Sequence, residues 1–278
     1  MAAIALGFAS ALVWGAADFL GGLKSRQLQL LTVLSVSQIA ALIVLAAIAV
    51  VRGAPPPDGE VVLWSALVGI TGIVGLAAFY RGLAIGAMGV VAPISASAAV
   101  LPVSVAVIGG ERPGAVQLAG MAVAVLGVAL ASYERSGSRG PRAATGAGLA
   151  LLAALGFGLF FIVLDEAASR DLIWALLLGR VTSTALLAGC CLAVRPSFQI
   201  TARDAQVLVA VGLFDVSANA LFALGTGLGM VSVVAVLASL YPVITIVLAR
   251  LVLGERLRGV QRAGGLVALV GVALISAG

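Results

Sequence analysis

Two stretches of this chain lying 144 residues apart are close copies: residues 111–130 read ERPGAVQLAGMAVAVLGVAL, and residues 255–274 read ERLRGVQRAGGLVALVGVAL. Twelve of the twenty positions agree, including the glutamate, the arginine, the glutamine and two glycines, so shared apolar composition does not account for the match. A chain that carries one unit twice folds as two related units. What decides the architecture is how many membrane crossings separate equivalent points.

Composition sets the medium. With 62% hydrophobic and 10% charged residues and a mean hydropathy of +1.22, the chain holds more apolar surface than one soluble core can hide, and its solvent is lipid. A helical crossing needs about 20 apolar residues. Ten such segments are predicted, near 2–23, 30–51, 61–80, 87–108, 113–132, 144–164, 172–194, 205–228, 231–253 and 259–277. The longest polar breaks are 52–60, with Pro55-Pro56-Pro57, and 133–143, with three arginines, so no soluble domain is expected. The first segment lacks a basic leader and exceeds a secretory core in length, which predicts a retained helix. The net charge of +5 would suggest nucleic acid in a soluble protein; here the arginines sit at helix ends and speak of orientation, with no nucleic-acid partner expected.

Five spans separate the two copies, an odd number, so equivalent points are expected on opposite membrane faces. The expected fold is an all-α, multi-pass integral membrane protein: ten transmembrane helices as two inverted five-helix repeats, 1–132 and 144–278, joined by the basic loop 133–143. Charge tests this separately. Arg258 and Arg262 of the second copy stand where the first has Gly114 and Leu118, and Lys24 and Arg26 after the first span face Asp165, Glu166, Arg170 and Asp171 after the sixth. Eleven basic residues fall on the face of the odd-numbered loops against three (Arg52, Arg112, Arg170) on the other. Basic loops stay cytoplasmic, which puts both termini outside.

The duplication extends to glycines. Gly82 and Gly86 correspond at an offset of 143 to Gly225 and Gly229, with Val-Val-Ala following at 90–92 and 233–235. Small residues four apart let helices approach where lipid supplies no hydrophobic drive; tight packing and a helix-to-loop hinge are both open readings. Gly120 with Gly127, and Gly264 with Gly271, form a seven-residue seam suited to packing between the halves.

With Gly110-Glu111-Arg112 and Gly254-Glu255-Arg256, the Gln-x-x-Gly after each, the G-x6-G-V seam, the Leu12-Val13-Trp14-Gly15 opening and its weaker echo Leu155-Gly156-Phe157, the chain resembles the drug/metabolite transporter superfamily. The branch is the ten-span one, built of two tandem EamA-type domains. Tyr241-Pro242 matches its helix-breaking proline, while the fourth span carries Pro93 and Pro102 at another spacing. The resemblance implies a permease of a cytoplasmic (inner) membrane that exports amino acids, related metabolites or drug-like compounds. Symmetry alone argues the mechanism: a unit fused to its inverted copy can swap which face is open, with the solute near the midplane.

Polar residues inside the spans are the candidate site, since they are costly there unless buried in protein or water. Asp215 lies near the middle of the eighth span, with Asn219 one turn on along the same face. Asp215 is either a ligand group or the partner of Arg180, which lies at similar depth in the seventh span and corresponds at an offset of 142 to Gln38. Arg180 and Gln38 are read as structural polar anchors. Asp18 follows Trp14 by one turn; it is either an end-of-helix carboxylate, solvated or paired with Lys24, or a titrating group beside a tryptophan wall. Tyr80, Ser95, Phe157, Ser239 and Tyr241 are cavity lining or ordinary packing. Glu111 and Glu255 precede the fifth and tenth spans and are expected to cap them structurally. Pro93 and Pro242 free backbone carbonyls, and kinks are expected there.

Other chemistries fall away. Cys190 and Cys191 are adjacent and point in different directions on a helix, so neither a disulfide nor a metal site is expected. The chain has no histidine, which excludes a Ser-His-Asp triad, and no phosphate-binding GxxxxGK[ST] loop. No cofactor is expected. The partners are the lipid bilayer and a small-molecule solute; the internal copy makes a monomer plausible, and the oligomeric state stays open. An intramembrane enzyme, or a non-transporting receptor or assembly protein, is the alternative; the first would need convergent acids, the second has no use for an inverted duplication.

Overall fold

The computed structural model describes residues 1–53, 55–85, 91, 94–131, 141–253 and 259–278. Gly86, Pro93, Gly254-Glu255-Arg256, Arg258 and most of the loop 133–143 lie outside the described residues, and with them the expected cap by Glu255.

Among the described residues every regular element is helical: α1 Ala2–Ser25, α2 Leu30–Arg52, α3 Gly59–Ile85, α4 Ile94–Ile108 and α5 Ala115–Ala131 make the first half. In the second, the run Pro141–Val194 is two helices meeting at Asp171, whose backbone is extended (φ −156°, ψ 107°). We number them α6 (141–170) and α7 (172–194). Then come α8 Ala202–Thr226, α9 Val231–Ala238, α10 Tyr241–Leu253 and α11 Gly259–Ala277.

Several helix starts carry a side-chain cap. Asp58 Oδ1 accepts the Val61 N–H (2.8 Å) at the head of α3, and Asp171 Oδ1 accepts those of Ile173 and Trp174 (2.9 and 3.0 Å) at the head of α7. Thr201 and Asp204 form a reciprocal capping box on α8. Gly53 ends α2 in the left-handed conformation (φ 57°, ψ 39°) that glycine adopts without strain.

Among the described residues five helical runs are long and apolar enough to cross a membrane: Ala2–Ser25, Leu30–Arg52, Gly59–Ile85, Gly148–Val194 (which holds most of α6 and all of α7) and Ala202–Thr226. The fourth, fifth, ninth and tenth predicted segments form shorter apolar helices, Ile94–Ile108, Ala115–Leu130, Val231–Thr245 and Ala263–Ile275. Gly110 turns the chain at φ 109° after α4, and α5 starts beyond Pro113. In the predicted 231–253 segment, Ser239 and Leu240 separate α9 from α10. Pro242 follows directly and has no N–H to offer the Ala238 carbonyl.

Close helix approaches repeat between the halves at the 143-residue offset. A Cβ added to Gly82 of α3 would sit 3.0 Å from Val91 Cγ1 and 3.6 Å from Leu149 Cβ; one added to Gly225 of α8 would sit 3.1 Å from Val234 Cγ1 and 3.4 Å from Leu6 Cβ. Likewise Gly15 of α1 backs onto the Tyr241 carbonyl and Ile244, and Gly158 of α6 onto the Ala98 carbonyl and Leu101, the carbonyl 2.8 Å away in both cases. All partners in each pair differ by the same 143 residues. Gly82 and Gly225 are therefore packing glycines, filled from one side by valine.

The glycine seam packs α5 on α11. Gly120 lies against Gly271, Leu274 and Ile275, Gly127 against Ala268, and Gly271 against Ala124, so the contacts descend one helix as they climb the other. These equivalent helices run antiparallel. Helix α1 runs antiparallel to α8, with Ser10 Oγ donating to the Ala218 carbonyl (2.9 Å) and Lys24 paired with Asp204 (2.6 Å); α3 runs antiparallel to α6, with Gly72 on Phe160 and Gly75 on Phe157.

Helix ends gather in two groups. Lys24–Asp204, Thr32 Oγ1 to the Ser197 carbonyl and the Ser197 N–H to Gln29 Oε1 join the loops after α1 and α7. Arg170 with Glu60, and the Trp174 indole N–H with the Pro55 carbonyl (2.6 Å), join the loops after α2 and α6. The same loops are grouped by the charge count. Ile43, Val50, Leu63, Leu192 and Leu251 stand exposed on the outer surface, where lipid is their solvent.

Candidate functional site

A cavity of about 60 Å³ lies inside the bundle, bounded by α1, α2, α3, α6, α7, α8 and α10. One side of its wall is a connected polar network. Arg180 on α7 donates through Nη1 to Gln38 Oε1 on α2 (2.6 Å) and forms an ion pair through Nη2 with Asp215 on α8. Ser183, one turn beyond Arg180, donates to the same Gln38 oxygen (2.9 Å), and the Trp14 indole N–H on α1 donates to Asp215 Oδ1 (3.2 Å). Four helices are thus tied through one guanidinium and one carboxylate. Each charge is answered by an opposite charge and a further hydrogen bond, the condition for keeping ions away from bulk water.

Asp215 pairs with Arg180, and both line the cavity. Gln38 and Arg180, read as structural anchors, are hydrogen-bonded to each other and also face this space. Their equivalence at offset 142 has a geometric meaning. Equivalent residues touch each other only near the axis that relates the halves, so the axis passes through this bond.

Asp18 is buried at 7% exposure and lines the cavity. The expected pairing with Lys24 does not occur; Lys24 turns outward to Asp204 and Gln27. Six residues of helix carry the ammonium about 9 Å along the axis, beyond reach of Asp18. The hydrogen-bonding neighbour of Asp18 is instead the Tyr80 hydroxyl from α3.

Trp14, Phe157, Asn219 and Tyr241 line the same space, joined by Phe160 and Phe161. Asn219 Oδ1 and the Tyr241 hydroxyl, on residues 4% and 3% exposed, have no hydrogen-bond partner. Buried polar atoms are rarely left unmatched. These two flank the cavity and are free to take a ligand. The rings pack on one another, Trp14 with Phe161 at 5.5 Å and Phe157 with Tyr241 at 6.4 Å between centroids. Glycines 69, 72 and 179 complete the wall; an added Cβ would meet the Gly179 carbonyl and Thr182, Phe160, and Val68 respectively, so their missing side chains let α3, α6 and α7 pack closely around the space.

Three candidates lie off the lining. Tyr80 stands behind Asp18, Ser239 donates to the Val236 carbonyl (2.7 Å) beside the helix break, and Ser95 is buried with its hydroxyl unpartnered. Glu111 does cap a helix, though not the one that follows it. Its carboxylate accepts the N–H groups of Val231 (2.6 Å) and Ser232 (3.1 Å) and the Ser232 hydroxyl, at the head of α9 in the other half. The head of α5 is closed by Gln117, whose Oε1 accepts the Gly114 N–H (3.0 Å). Sequence reasoning missed Ser183, Phe160, Phe161 and the three glycines. Ser183 had a signal in its spacing of three from Arg180; the phenylalanines had none beyond helical periodicity. Among the described residues no group of three or more Cys, Asp or Glu side chains could hold a metal ion.

Comparison with curated proteins gives no match. One solved crystal structure, described only as that of a protein, is 18% identical and superposes with a TM-score of 0.78 over 98% of this chain and 95% of its own, a likeness of fold. Residues 1–133 and 144–277 each match the EamA-like transporter family, whose members move small solutes across membranes and are not enzymes. An all-α, multi-pass chain with two such halves, bathed in lipid and enclosing a largely apolar cavity with a few buried polar groups in its wall, belongs to the EamA-like transporter family.

Proposed function

We propose that this protein is a secondary-active carrier that moves a small organic solute by alternating access, built as two inverted five-helix repeats, 1–132 and 144–278, around the cavity. The carrying observation is the cavity itself: buried polar groups from both halves converge on it, and two of them have no protein partner. Antiparallel packing of the equivalent helices α5 and α11 supports inversion, as do the Gly82/Gly225 and Gly15/Gly158 contacts repeated at a fixed offset. Related halves that pack the same way in two arrangements can exchange roles, closing one end as the other opens.

Trp14, Asp18, Phe157, Asp215, Asn219 and Tyr241 form the solute site, with Tyr80 supporting Asp18; Ser239 serves the break between α9 and α10, and Ser95 packs within α4. The membrane is the cytoplasmic one, both termini are outside, and the direction is export of an amino acid, related metabolite or drug-like compound. Metabolite profiles of cells with and without the protein identify the solute. Flux of that solute into proteoliposomes then decides the matter: movement of the unchanged compound, reduced in Asp215→Asn, supports the carrier, and turnover of lipid or solute without flux removes it.

A further inference from the structure

We infer that the cavity selects an organic cation bearing N–H donors, a protonated amine on an apolar or aromatic body. This rests on the carrier reading and adds the substrate class. Three formally charged side chains face the space: Asp18, Asp215 and Arg180. Arg180 is committed to Asp215 and Gln38. Asp18 is left with a hydroxyl neighbour, Tyr80 of α3, and no ion pair with a cation among the described residues. Around it stand Asp215 from α8, Tyr241 from α10 and the rings of α6, with Arg180 of α7 turned to its own partner. Two carboxylates against one guanidinium leave the wall one positive charge short.

Hydrogen-bonding capacity points the same way. Asn219 Oδ1 is an acceptor with no donor, and the Tyr241 hydroxyl is unengaged; both are more than nine-tenths buried beside the cavity. An ammonium brings several donors to Asp18 and Asn219. The remaining wall includes Trp14, Phe157, Phe160, Phe161 and Tyr241, whose ring faces attract a cation and whose bulk accepts an apolar body. An anion would meet two carboxylates and find the single guanidinium occupied. In the empty cavity a proton is the other cation that Asp18 can hold, so amine and proton compete.

The test uses the purified full-length protein in detergent micelles, with calorimetric titration of two isosteric probes, 2-phenylethylammonium and 3-phenylpropanoate. The amine is expected to bind at least about tenfold more tightly than the carboxylate, to weaken as pH falls from about 8 to about 5, and to lose at least about tenfold in Asp18→Asn. A merely structural Asp18 would not produce the pH dependence. If Asp18→Asn fails to fold, as judged by its thermal transition, the wild-type amine-to-carboxylate ratio and its pH profile decide. Equal or tighter carboxylate binding, no binding of the amine, or a folded Asp18→Asn that binds it unchanged overturns the inference. Flux of an anionic solute in the liposome assay would overturn it while leaving the carrier intact; amine binding without any flux would do the reverse.

Discussion

Removing Asp215 exposes the energetics that hold the bundle together at its centre. The Arg180 and Asp215 side chains are 9% and 17% exposed, so the pair sits in a partly dry environment. At an effective dielectric of about 20, unit charges about 4 Å apart attract by about 4 kcal/mol. Asp215→Ala strips that attraction, leaves the guanidinium with Gln38 as its remaining protein partner, and deprives the Trp14 indole of its acceptor. Breaking a buried pair from one side costs about 3–5 kcal/mol, and the lost indole bond adds about 1 kcal/mol. The opening toward the cavity lets water reach Arg180, which puts the expected loss at the lower end, about 3 kcal/mol. Reversible unfolding in mixed micelles measures it. Arg180→Met combined with Asp215→Leu removes both charges and is expected to recover most of the loss while binding no solute. A loss under about 1 kcal/mol in Asp215→Ala, or no recovery in the double variant, would refute the claim that the pair and not the cavity shape sets the cost.

Glu111→Ala is expected to cost about 1–3 kcal/mol, since a carboxylate leaves two backbone N–H groups at the head of α9; amide exchange at Val231 and Ser232 should quicken. Gly127→Leu forces a side chain into Ala268 and should lower stability by about 1–3 kcal/mol through overpacking. Gly148→Leu, where an added Cβ meets nothing within 4 Å, is the matched control and should be neutral within about 0.5 kcal/mol in a thermal unfolding assay. A reporter fused after Gly278 should be active outside the cytoplasm; activity inside would reverse the orientation inferred from the arginine count.

Much of this molecule is legible in its sequence because lipid removes alternatives: helices are the only open choice for spanning segments, and repetition reveals the halves. The seam of Gly120, Gly127 and Gly271 is readable for the same reason, since only a packing demand keeps glycine at fixed spacing in a helix. For Asp215 and Arg180, similar depth makes a pair one of two open readings, and the packing of α7 against α8 supplies the ion pair. Asp18 is less legible: its place in sequence suggests the helix end, and only the packing of α3 brings the Tyr80 hydroxyl to it. Glu111 defeats local reasoning in a different way. A carboxylate just before a helix predicts a cap on that helix, yet its reach is to α9, a residue separation of 120 that no local pattern encodes.

The backbone of this protein is more symmetric than its chemistry. Contacts at Gly82 and Gly225, and at Gly15 and Gly158, repeat residue for residue at the 143 offset. The cavity walls do not. Asp215 corresponds to Gly72, Asp18 to Phe161 and Tyr241 to Ala98, and across the axis Arg180 meets glutamine instead of a second arginine. Two arginines touching at the axis would repel, and two copies of Asp215 would need both; replacing one set by Gln38 and Gly72 resolves the conflict and leaves a single ion pair. At Gly72 an added Cβ would lie 3.0 Å from Phe160 Cδ2, so the position that could have held the second carboxylate is closed by an aromatic ring. Duplication therefore supplies two related frames, while divergence near the axis leaves one cavity with a polar side and an aromatic side. Among the described residues the ion pairs at the ends of the bundle differ too, with Lys24–Asp204 at one and Arg170–Glu60 at the other. On the proposed alternating-access reading, unequal latches on related frames would give the two open arrangements unequal free energies, and the expected outcome is a preferred resting side.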